Sequence, residues 1–205
     1  MKITAIKQQV KRQDRYSVFV DGTYALSLSE GALIESRLAS GQQLDAHQLD
    51  ALKQSAGLDK AYGNALRYVA MRPRSERELS DYLRRKQLDE AASTEIIGRL
   101  RALDLVDDSA FARSWVASRR LLKHTSKRRL MLELKQKHVA EETIREVLEA
   151  DETDERSEIR AIIEKRRAHY ADDQKLMQYL ARQGFGFDDI KAALAAVKAE
   201  ESGEV

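Results

Sequence analysis

The chain has 205 residues, 34% charged and 42% hydrophobic, and its 36 basic and 34 acidic side chains leave a net charge of +2, so the chain as a whole is not strongly cationic. It contains no cysteine, which excludes a disulfide framework, a thiolate zinc site and a cysteine nucleophile. It has 9 glycines and 1 proline, where average usage predicts roughly 14 and 10, and this shortage of helix breakers favours a mainly α-helical protein over a many-turned β-sandwich.

The first 28 residues differ from the rest because they are rich in strand-forming side chains. Two such runs, 16–20 and 23–28, flank Asp21-Gly22, a dipeptide typical of a two-residue type I′ hairpin turn. Residues 3–10 supply a third strand through the polar turn 11–15. We therefore predict a small N-terminal antiparallel β meander, followed by connecting helices up to residue 56.

The remainder of the chain repeats itself three times. A leucine pair with a spacing of four recurs in each copy, as Leu79/Leu83, Leu130/Leu134 and Leu176/Leu180. Each copy holds three short apolar-periodic segments within about 45 residues, and a single such unit buries its apolar stripe poorly. Stacked copies form a continuous core, so we predict nine helices in tandem three-helix repeats. The leucine pairs are predicted to be buried, with Phe111 and Trp115 beside them.

The spacing of the three repeats divides the chain into five segments. They are 1–56 with the meander and connecting helices, 57–104, 105–150 and 151–198 as repeats 1 to 3, and an acidic tail at 199–205. Helix-start residues support the division, because Ser75 with Glu78 fits a capping box and Asp107 or Asp108 suits the next helix N-cap. Gly184 is typical of a left-handed helix end.

Charge is strongly segregated in the second repeat. Residues 119–138 carry eight basic side chains against Glu133 alone, and 141–158 then carry nine acidic ones against two basic. The eight are Arg119, Arg120, Lys123, Lys127, Arg128, Arg129, Lys135 and Lys137. On a helix, Arg128 and Lys135 share a face that points away from the buried leucines, which suits contacts with phosphate or an acidic partner. The alternative is a solvated face balanced by the acidic segment.

Two smaller basic clusters lie in the other repeats. One contains Arg84, Arg85 and Lys86, and the other is 165–167. Each either extends the binding face or is ordinary surface. Leu132 points away from the leucine pair of its helix, which indicates contact with a partner or with a neighbouring repeat.

The sequence offers no catalytic or cofactor motif. The four histidines are scattered, no phosphate-binding loop is present, and helix capping accounts for the acidic group Asp104, Asp107 and Asp108. No apolar run reaches the roughly 18 residues of a membrane span, and the N-terminus lacks a signal-peptide stretch. We expect a cytoplasmic protein that is not an enzyme and has no metal, cofactor or membrane partner.

Three motifs resemble the RecX family, bacterial regulatory proteins that act on the recombinase RecA. In chain order they are Arg72-Pro-Arg-Ser-Glu-Arg-Glu-Leu79-x-x-x-Leu83, Leu105-Val-Asp-Asp108-x-x-Phe111-Ala112-x-x-Trp115-Val116-x-x-Arg119 and Tyr179-Leu-Ala-Arg-Gln-Gly-Phe185. The resemblance covers 57–198. One departure is His138-Val139-Ala140, where the family usually has a glycine before the apolar residue and a polar cap after it.

The resemblance implies three-helix repeats in an elongated, curved array. It implies binding in the groove of the RecA filament on single-stranded DNA and modulation, usually inhibition, of strand exchange and ATP hydrolysis, within recombination, repair and the SOS response. It also implies some direct affinity for single-stranded DNA, and it leaves open whether double-stranded DNA is bound as well. We expect a monomer. The alternative is a stand-alone nucleic-acid-binding module that acts by charge and needs no RecA.

Overall fold

The computed structural model describes residues 1–170, 172–201 and 203, and it confirms a mainly α-helical fold with a small N-terminal sheet. The strands are β1 Ile3–Gln8, β2 Arg15–Val20 and β3 Thr23–Ser29. The α-helices are α1 Glu30–Ser36, α2 Ala46–Ala70, α3 Glu76–Arg85, α4 Glu90–Arg101, α5 Asp108–Lys123, α6 Lys127–Gln136, α7 Glu141–Glu149, α8 Glu155–Arg166, α9 Asp173–Arg182 and α10 Phe187–Glu201. A 3₁₀ turn at Arg167–His169, which the sequence pattern did not predict, follows α8.

The chain forms two compact units. The first contains Met1–Arg72 and Leu79–Leu105, and the second contains Pro73–Glu78 together with the chain from Val106 onward. The first unit therefore holds the meander and most of α2–α4, whereas the second holds α5–α7 and α8–α10.

The predicted meander is confirmed. The sheet has the order β1-β2-β3 with antiparallel neighbours, and the two-residue turn has the positive φ angles of 49° at Asp21 and 81° at Gly22. The sheet is tied to α2 by a buried ion pair, in which Arg15 Nη2 lies 3.0 Å from Asp59 Oδ2. Asp59 also accepts a hydrogen bond from the backbone N–H of Ser29 at 2.9 Å. Because Arg15 lies on β2 and Asp59 on α2, this buried ion pair holds the sheet against the helix.

The three-helix repeats are α2–α4, α5–α7 and α8–α10, and one predicted boundary falls inside a helix. Helix α2 has 25 residues and runs without a break through residues 56 and 57, so the connecting helix and the first helix of repeat 1 are continuous. Gly57 therefore lies inside a helix, where glycine lowers helix stability by about 1 kcal/mol relative to alanine. The other residues of this long helix outweigh that cost. At the other end, α10 includes residues 199–201 of the predicted tail, and Ser202, Glu204 and Val205 lie outside the described residues.

The predicted core positions are confirmed. All six repeat leucines are buried, with exposed fractions between 0% and 1%. In repeat 2, Leu130 and Leu134 pack in one cluster with Phe111, Val116 and Ile144, among others. In repeat 3, the leucine pair packs with isoleucines of α8 and α10. The four-residue spacing places each pair on one helical face, and in repeats 2 and 3 that face meets the other two helices.

Ser75 and Asp107 accept hydrogen bonds at the helix starts where the sequence predicts caps. The Ser75 hydroxyl accepts from the backbone N–H of Glu78 at 3.2 Å, and the Asp107 carboxylate accepts from two backbone N–H groups at the start of α5. Asp108 Oδ1 accepts from the backbone N–H of Glu76 at 2.8 Å, and Asp104 holds a left-handed φ of 55° just after α4. The carboxylates of Asp107 and Asp108 therefore act at helix starts, whereas Asp104 contributes only its backbone conformation after α4.

The middle helix of every repeat ends at the same left-handed position. Gln87, His138 and Gly184 each lie four residues after the second leucine of the pair and have φ angles of 61°, 56° and 94°. Only the third position needs glycine for space, because a Cβ there would lie 2.8 Å from Ser126 Oγ. The buried Ser126 hydroxyl donates to the Gln183 carbonyl at 2.8 Å, so this close approach joins repeats 2 and 3.

A stabilising substitution is expected at residue 140, where this chain has alanine instead of the polar helix cap. Ala140 is the N-cap of α7 and has no side chain that could accept a hydrogen bond from the free N–H groups. We expect Ala140→Ser to raise the free energy of unfolding by about 0.5–2 kcal/mol, measured by urea denaturation. Ala150→Ser, at the C-cap of the same helix, is the control, because no free N–H group lies there. An equal gain from both variants would contradict this explanation.

Candidate functional site

The predicted basic segment occupies the second half of α5, the turn after it and α6. Its eight side chains do not form one exposed face. Some are buried or bind carboxylates of this and other segments of the chain, and the rest project outward. Only the outward cations are available to a partner.

Arg120 is the most buried member of the segment, with 7% of its side chain exposed. Its guanidinium donates to Asp151 Oδ2 at 2.8 and 3.0 Å, to Glu155 Oε1 at 2.9 Å and to the Thr125 carbonyl at 2.7 Å. Burial alone would lower the pKa of Arg120, but the hydrogen bonds that its guanidinium donates to the two carboxylates outweigh it and raise the pKa. Arg120 therefore holds the acidic linker between repeats 2 and 3 against the end of α5.

Two further cations of the segment, Arg119 and Lys137, contact the ring of Trp115. Its ring packs against Phe111, and its indole Nε1 donates to Glu133 Oε2 at 2.9 Å, so the predicted packing role is confirmed with a polar contact added. The Arg119 guanidinium lies 4.2 Å from the ring centroid and donates to Glu133 at 2.7 Å. The Lys137 ammonium lies 5.0 Å from the same ring and 2.7 Å from Glu78 Oε1. Arg119 and Lys137 thus have internal partners.

The outward cations are concentrated at the start of α6. Among the described residues, the side chains of Lys123, Lys127 and Arg128 have no hydrogen-bond or ion-pair partner, and Lys123 and Arg128 are exposed. Arg129 is 46% exposed and its Nη1 donates to Gln183 Oε1 at 2.7 Å. Lys135 is equally exposed and pairs with Glu141 at 2.6 Å, which lowers the pKa of that carboxyl.

A groove runs along the outward face of α6 against α7. It has a volume of about 760 Å³, and its α6 side is lined by Lys127, Arg128, Met131 and Lys135. Arg128 and Lys135 therefore share a surface, as the helical spacing predicts. The α7 side is lined by the apolar residues Ile144 and Leu148 and by charged residues, which are Glu141, Glu142, Arg145 and Glu149. Leu132 is 54% exposed, so its predicted outward orientation is also observed.

The second predicted cluster lies at the end of α3 in the first unit. Arg84, Arg85 and Lys86 are all exposed. Arg84 pairs with Asp81 at 2.7 Å, and the Lys86 ammonium lies 5.7 Å from the centre of the Tyr82 ring. These contacts stay within α3 and its end, so the cluster remains accessible from solvent.

Comparison with protein families identifies the architecture. The model of the regulatory protein RecX N-terminal domain matches residues 1–45, and the models of the first, second and third RecX three-helix domains match 61–100, 107–148 and 154–194. The chain belongs to the RecX family. The N-terminal model covers the β meander, and each three-helix model falls on one of the three repeats of this RecX chain.

Individual RecX proteins give the same result. The regulatory protein RecX of Bacillus velezensis is 31% identical over 98% of this chain and 80% of its own length. That of Bacillus subtilis is 28% identical over 97% of this chain and 78% of its own length. A crystal structure of a regulatory protein RecX matches 95% of this chain and 98% of its own, with a TM-score of 0.75 and 27% identity. These relatives are named as regulatory proteins.

The RecX fold accommodates the departure at 138–140. His138 adopts the left-handed angle that glycine reaches more easily, and α7 begins without a side-chain cap at Ala140. The fold of repeat 2 is kept, at a local cost in stability. Within the described ranges, no helix is both long and apolar enough to cross a lipid bilayer.

Proposed function

We propose that this RecX-family protein binds the RecA filament on single-stranded DNA, in the filament groove, and inhibits strand exchange and ATP hydrolysis by RecA. Its role is regulatory and non-enzymatic, and it acts in the cytoplasm as a monomer. The observation that carries the proposal is the surface at the start of α6, where the side chains of Lys127 and Arg128 have no hydrogen-bond or ion-pair partner among the described residues, in a chain of the RecX family.

The chemistry of this surface suits a filament of protein and DNA. Such a filament displays phosphate groups and acidic side chains, and cations that are not already paired gain most from meeting them. The apolar side chains Met131 and Leu132 are 42% and 54% exposed beside these cations. A surface with outward cations and exposed apolar groups fits a protein partner as well as a phosphate backbone. Arg85 and Lys86 add a second basic point of contact on the first unit.

Inhibition follows from binding several subunits at once. Each contact is weak, but contacts made by repeats of one chain add through effective concentration. A regulator that bridges neighbouring RecA subunits opposes the movements that accompany nucleotide turnover and filament growth. No chemical step in the regulator is needed, so its effect depends on surface charge and on the folded repeats.

Charge reversal on α6 tests the proposal. In RecA ATPase assays on single-stranded DNA, we expect the parent protein to inhibit at substoichiometric amounts, and Lys127→Glu/Arg128→Glu to need about tenfold more protein for half inhibition. Arg129 is left unchanged because it contacts Gln183 and Glu133. Raising the salt concentration is expected to weaken inhibition by the parent, because charge attraction contributes to binding.

The control is a pair of exposed lysines in the first unit. Lys11 and Lys60 have no partner among the described residues, so Lys11→Glu/Lys60→Glu changes the net charge equally without breaking a contact. Equal loss in both double variants, each with a normal melting curve, would show that total charge rather than the α6 surface matters. A parent protein that leaves RecA turnover unchanged would contradict the proposed partner and leave the stand-alone nucleic-acid module in its place.

A further inference from the structure

A groove lies between the turn that joins β1 to β2 and the middle of α2, wholly within the first unit. We call it the α2 groove. Its volume of about 710 Å³ falls within the range of about 300–1,000 Å³ that ligand pockets occupy. Its lining contains three arginines, Arg12, Arg15 and Arg67, and two aspartates, Asp14 and Asp59. None of these residues belongs to α6, whose surface carries the proposed regulation of RecA.

One of the lining residues is a buried arginine with unused hydrogen-bond donors. The Arg15 side chain is only 4% exposed. Its Nη2 donates to the Ser27 carbonyl at 2.9 Å and to Ser27 Oγ at 3.3 Å, and it lies 3.0 Å from Asp59 Oδ2. Within the part of the chain that the structure describes, Arg15 Nε and Nη1 have no acceptor. An anion that accepts from these donors gains a charge-assisted hydrogen bond.

The other two arginines of the lining are more accessible. Arg67 is exposed, and among the described residues its only partner is the side-chain oxygen of Asn64. Arg12 is 35% exposed and lies 3.5 Å from Asp14 Oδ2, which is 65% exposed. Because an exposed ion pair of this kind contributes little stability, Arg12 can change partner at low cost. Three arginines against two aspartates give the lining a net charge of +1, which matches one carboxylate better than a chain of phosphates.

The α2 side of the groove also has an apolar part. Tyr62 and Leu66 are half-buried and line it. The Arg99 guanidinium lies 4.0 Å from the centre of the Tyr62 ring and holds the ring in place. Gly63 lies between the two in sequence, and a Cβ added there would meet no atom within 4 Å. The absence of a side chain at this position leaves space in which an apolar group of a ligand can pack.

The length of the groove suits a short peptide. Its α2 side extends from Asp59 to Arg67, which are eight residues apart and therefore separated by about 12 Å along the helix, at about 1.5 Å per residue. An extended peptide advances about 3.4 Å per residue, so three or four residues cover that distance. A free small acid would fill only part of it. A peptide that offers a carboxylate and an apolar side chain meets both kinds of lining at once.

We propose that the α2 groove docks an acidic peptide segment of a partner protein. One carboxylate of the peptide contacts Arg15 and Arg67, and a neighbouring apolar side chain packs against Tyr62 and Leu66 in the space over Gly63. This surface goes beyond the proposed regulation of RecA, because it lies on the first unit and its ligand contains no nucleic acid.

The test measures peptide binding without RecA, so that its result is independent of the proposed function. The probe is an acetylated and amidated tetrapeptide of alternating glutamate and leucine, and the same peptide with glutamine in place of glutamate is the charge control. Nuclear magnetic resonance of the ¹⁵N-labelled protein follows the Gly63 amide and the Arg15 Nε–H. We expect the acidic peptide to shift both signals with a Kd of about 1 mM or lower, and the glutamine peptide to bind at least about tenfold more weakly.

Two glycine substitutions in the same helix separate the groove from the rest of α2. Gly63→Leu fills the open space and is expected to weaken binding of the acidic peptide at least about tenfold. Gly57 also has open space around an added Cβ but does not line the groove, so Gly57→Leu is expected to bind within about twofold of the parent. Leucine favours a helix more than glycine does, so both variants should melt at or above the temperature of the parent.

A third comparison tests the carboxylate contact. Arg67→Gln is expected to weaken binding of the acidic peptide about fivefold or more. Lys60→Gln removes the same charge from an exposed residue of α2 that has no partner among the described residues, and should leave the affinity unchanged.

Three outcomes would overturn the proposal. One is that neither peptide shifts the two signals, or that both bind equally well. Another is an equal loss of affinity in Gly63→Leu and Gly57→Leu, or in Arg67→Gln and Lys60→Gln. The last is that 4-methylvalerate, which has a carboxylate and a branched alkyl group but no peptide backbone, binds as tightly as the acidic peptide, because the groove would then be a site for a small acid.

Discussion

Replacing Leu134 with alanine should lower the free energy of unfolding by about 2–5 kcal/mol. The side chain of Leu134 is 0% exposed and packs in the repeat 2 core with Phe111 and Ile144, among others. The substitution removes three carbon atoms and leaves a cavity, because the surrounding helices relax only partly. Urea denaturation followed by circular dichroism measures the difference between parent and variant.

The matched control lies two residues away on the same helix. Leu132 is 54% exposed, so Leu132→Ala should change the free energy of unfolding by no more than about 0.5 kcal/mol. The two variants remove the same atoms and differ only in which face of α6 they alter. A loss below about 0.5 kcal/mol for Leu134→Ala would show that the buried face of this helix has been assigned wrongly.

The buried face of each helix could be predicted because the information is local. Residues with a spacing of four share a helical face, so the leucine pairs identified the core side of three helices without any knowledge of their neighbours. The Asp21-Gly22 hairpin was predictable for the same reason, since two residues determine the turn. The boundary drawn between residues 56 and 57 had no such local basis, because a single glycine such as Gly57 either ends a helix or lies within one, and here α2 continues through it.

The roles of individual cations could not be predicted, because their partners are distant in sequence. Arg120 binds Asp151 and Glu155, which lie 31 and 35 residues further along the chain, and Lys137 binds Glu78 at a separation of 59 residues. On a helical projection these cations look like their outward neighbours. The acidic run that follows the basic segment indicated that some cations have carboxylate partners within the chain. It does not specify which carboxylate pairs with which cation.

Replacing Arg120 with alanine should lower the free energy of unfolding by about 3–5 kcal/mol, because it leaves buried carboxylate charge without a partner. The Asp151 side chain is only 9% exposed and Glu155 is 24% exposed. Glu155 Oε1 also accepts from the backbone N–H of Lys127 at 2.9 Å, so the variant disturbs the start of α6 as well as the linker to repeat 3. Urea denaturation of the parent and the variant gives the difference.

Arg156 supplies the control, because it is an arginine in an ion pair of the same unit but is exposed to solvent. It pairs with Asp189 at 3.1 Å, and the two side chains are 61% and 39% exposed. Water screens such a pair, so Arg156→Ala should cost no more than about 1 kcal/mol. Similar losses for Arg120→Ala and Arg156→Ala would show that burial of the Arg120 cluster contributes little to stability.

The same cluster predicts how stability depends on pH. Burial would raise the pKa of Asp151, but hydrogen bonds from Thr153 and Arg120 outweigh it and hold the pKa below its ordinary value of 3.8. Because the pKa is lower in the folded chain than in the unfolded one, the ionised carboxylate stabilises the fold. That contribution is complete above the unfolded pKa and is lost as the pH falls through the folded pKa.

The stability difference between the parent and Asp151→Asn should therefore be largest near neutral pH and should shrink as the pH falls below about 4. Asparagine keeps the shape of the side chain and its hydrogen bond with Thr153, so the variant removes the charge that faces Arg120 together with the two hydrogen bonds that Oδ2 accepts from it. Urea denaturation of both proteins at a series of pH values measures the difference. A difference that stays constant with pH would mean that Asp151 acts through packing and neutral hydrogen bonds, and that the buried arginine is held mainly by Glu155.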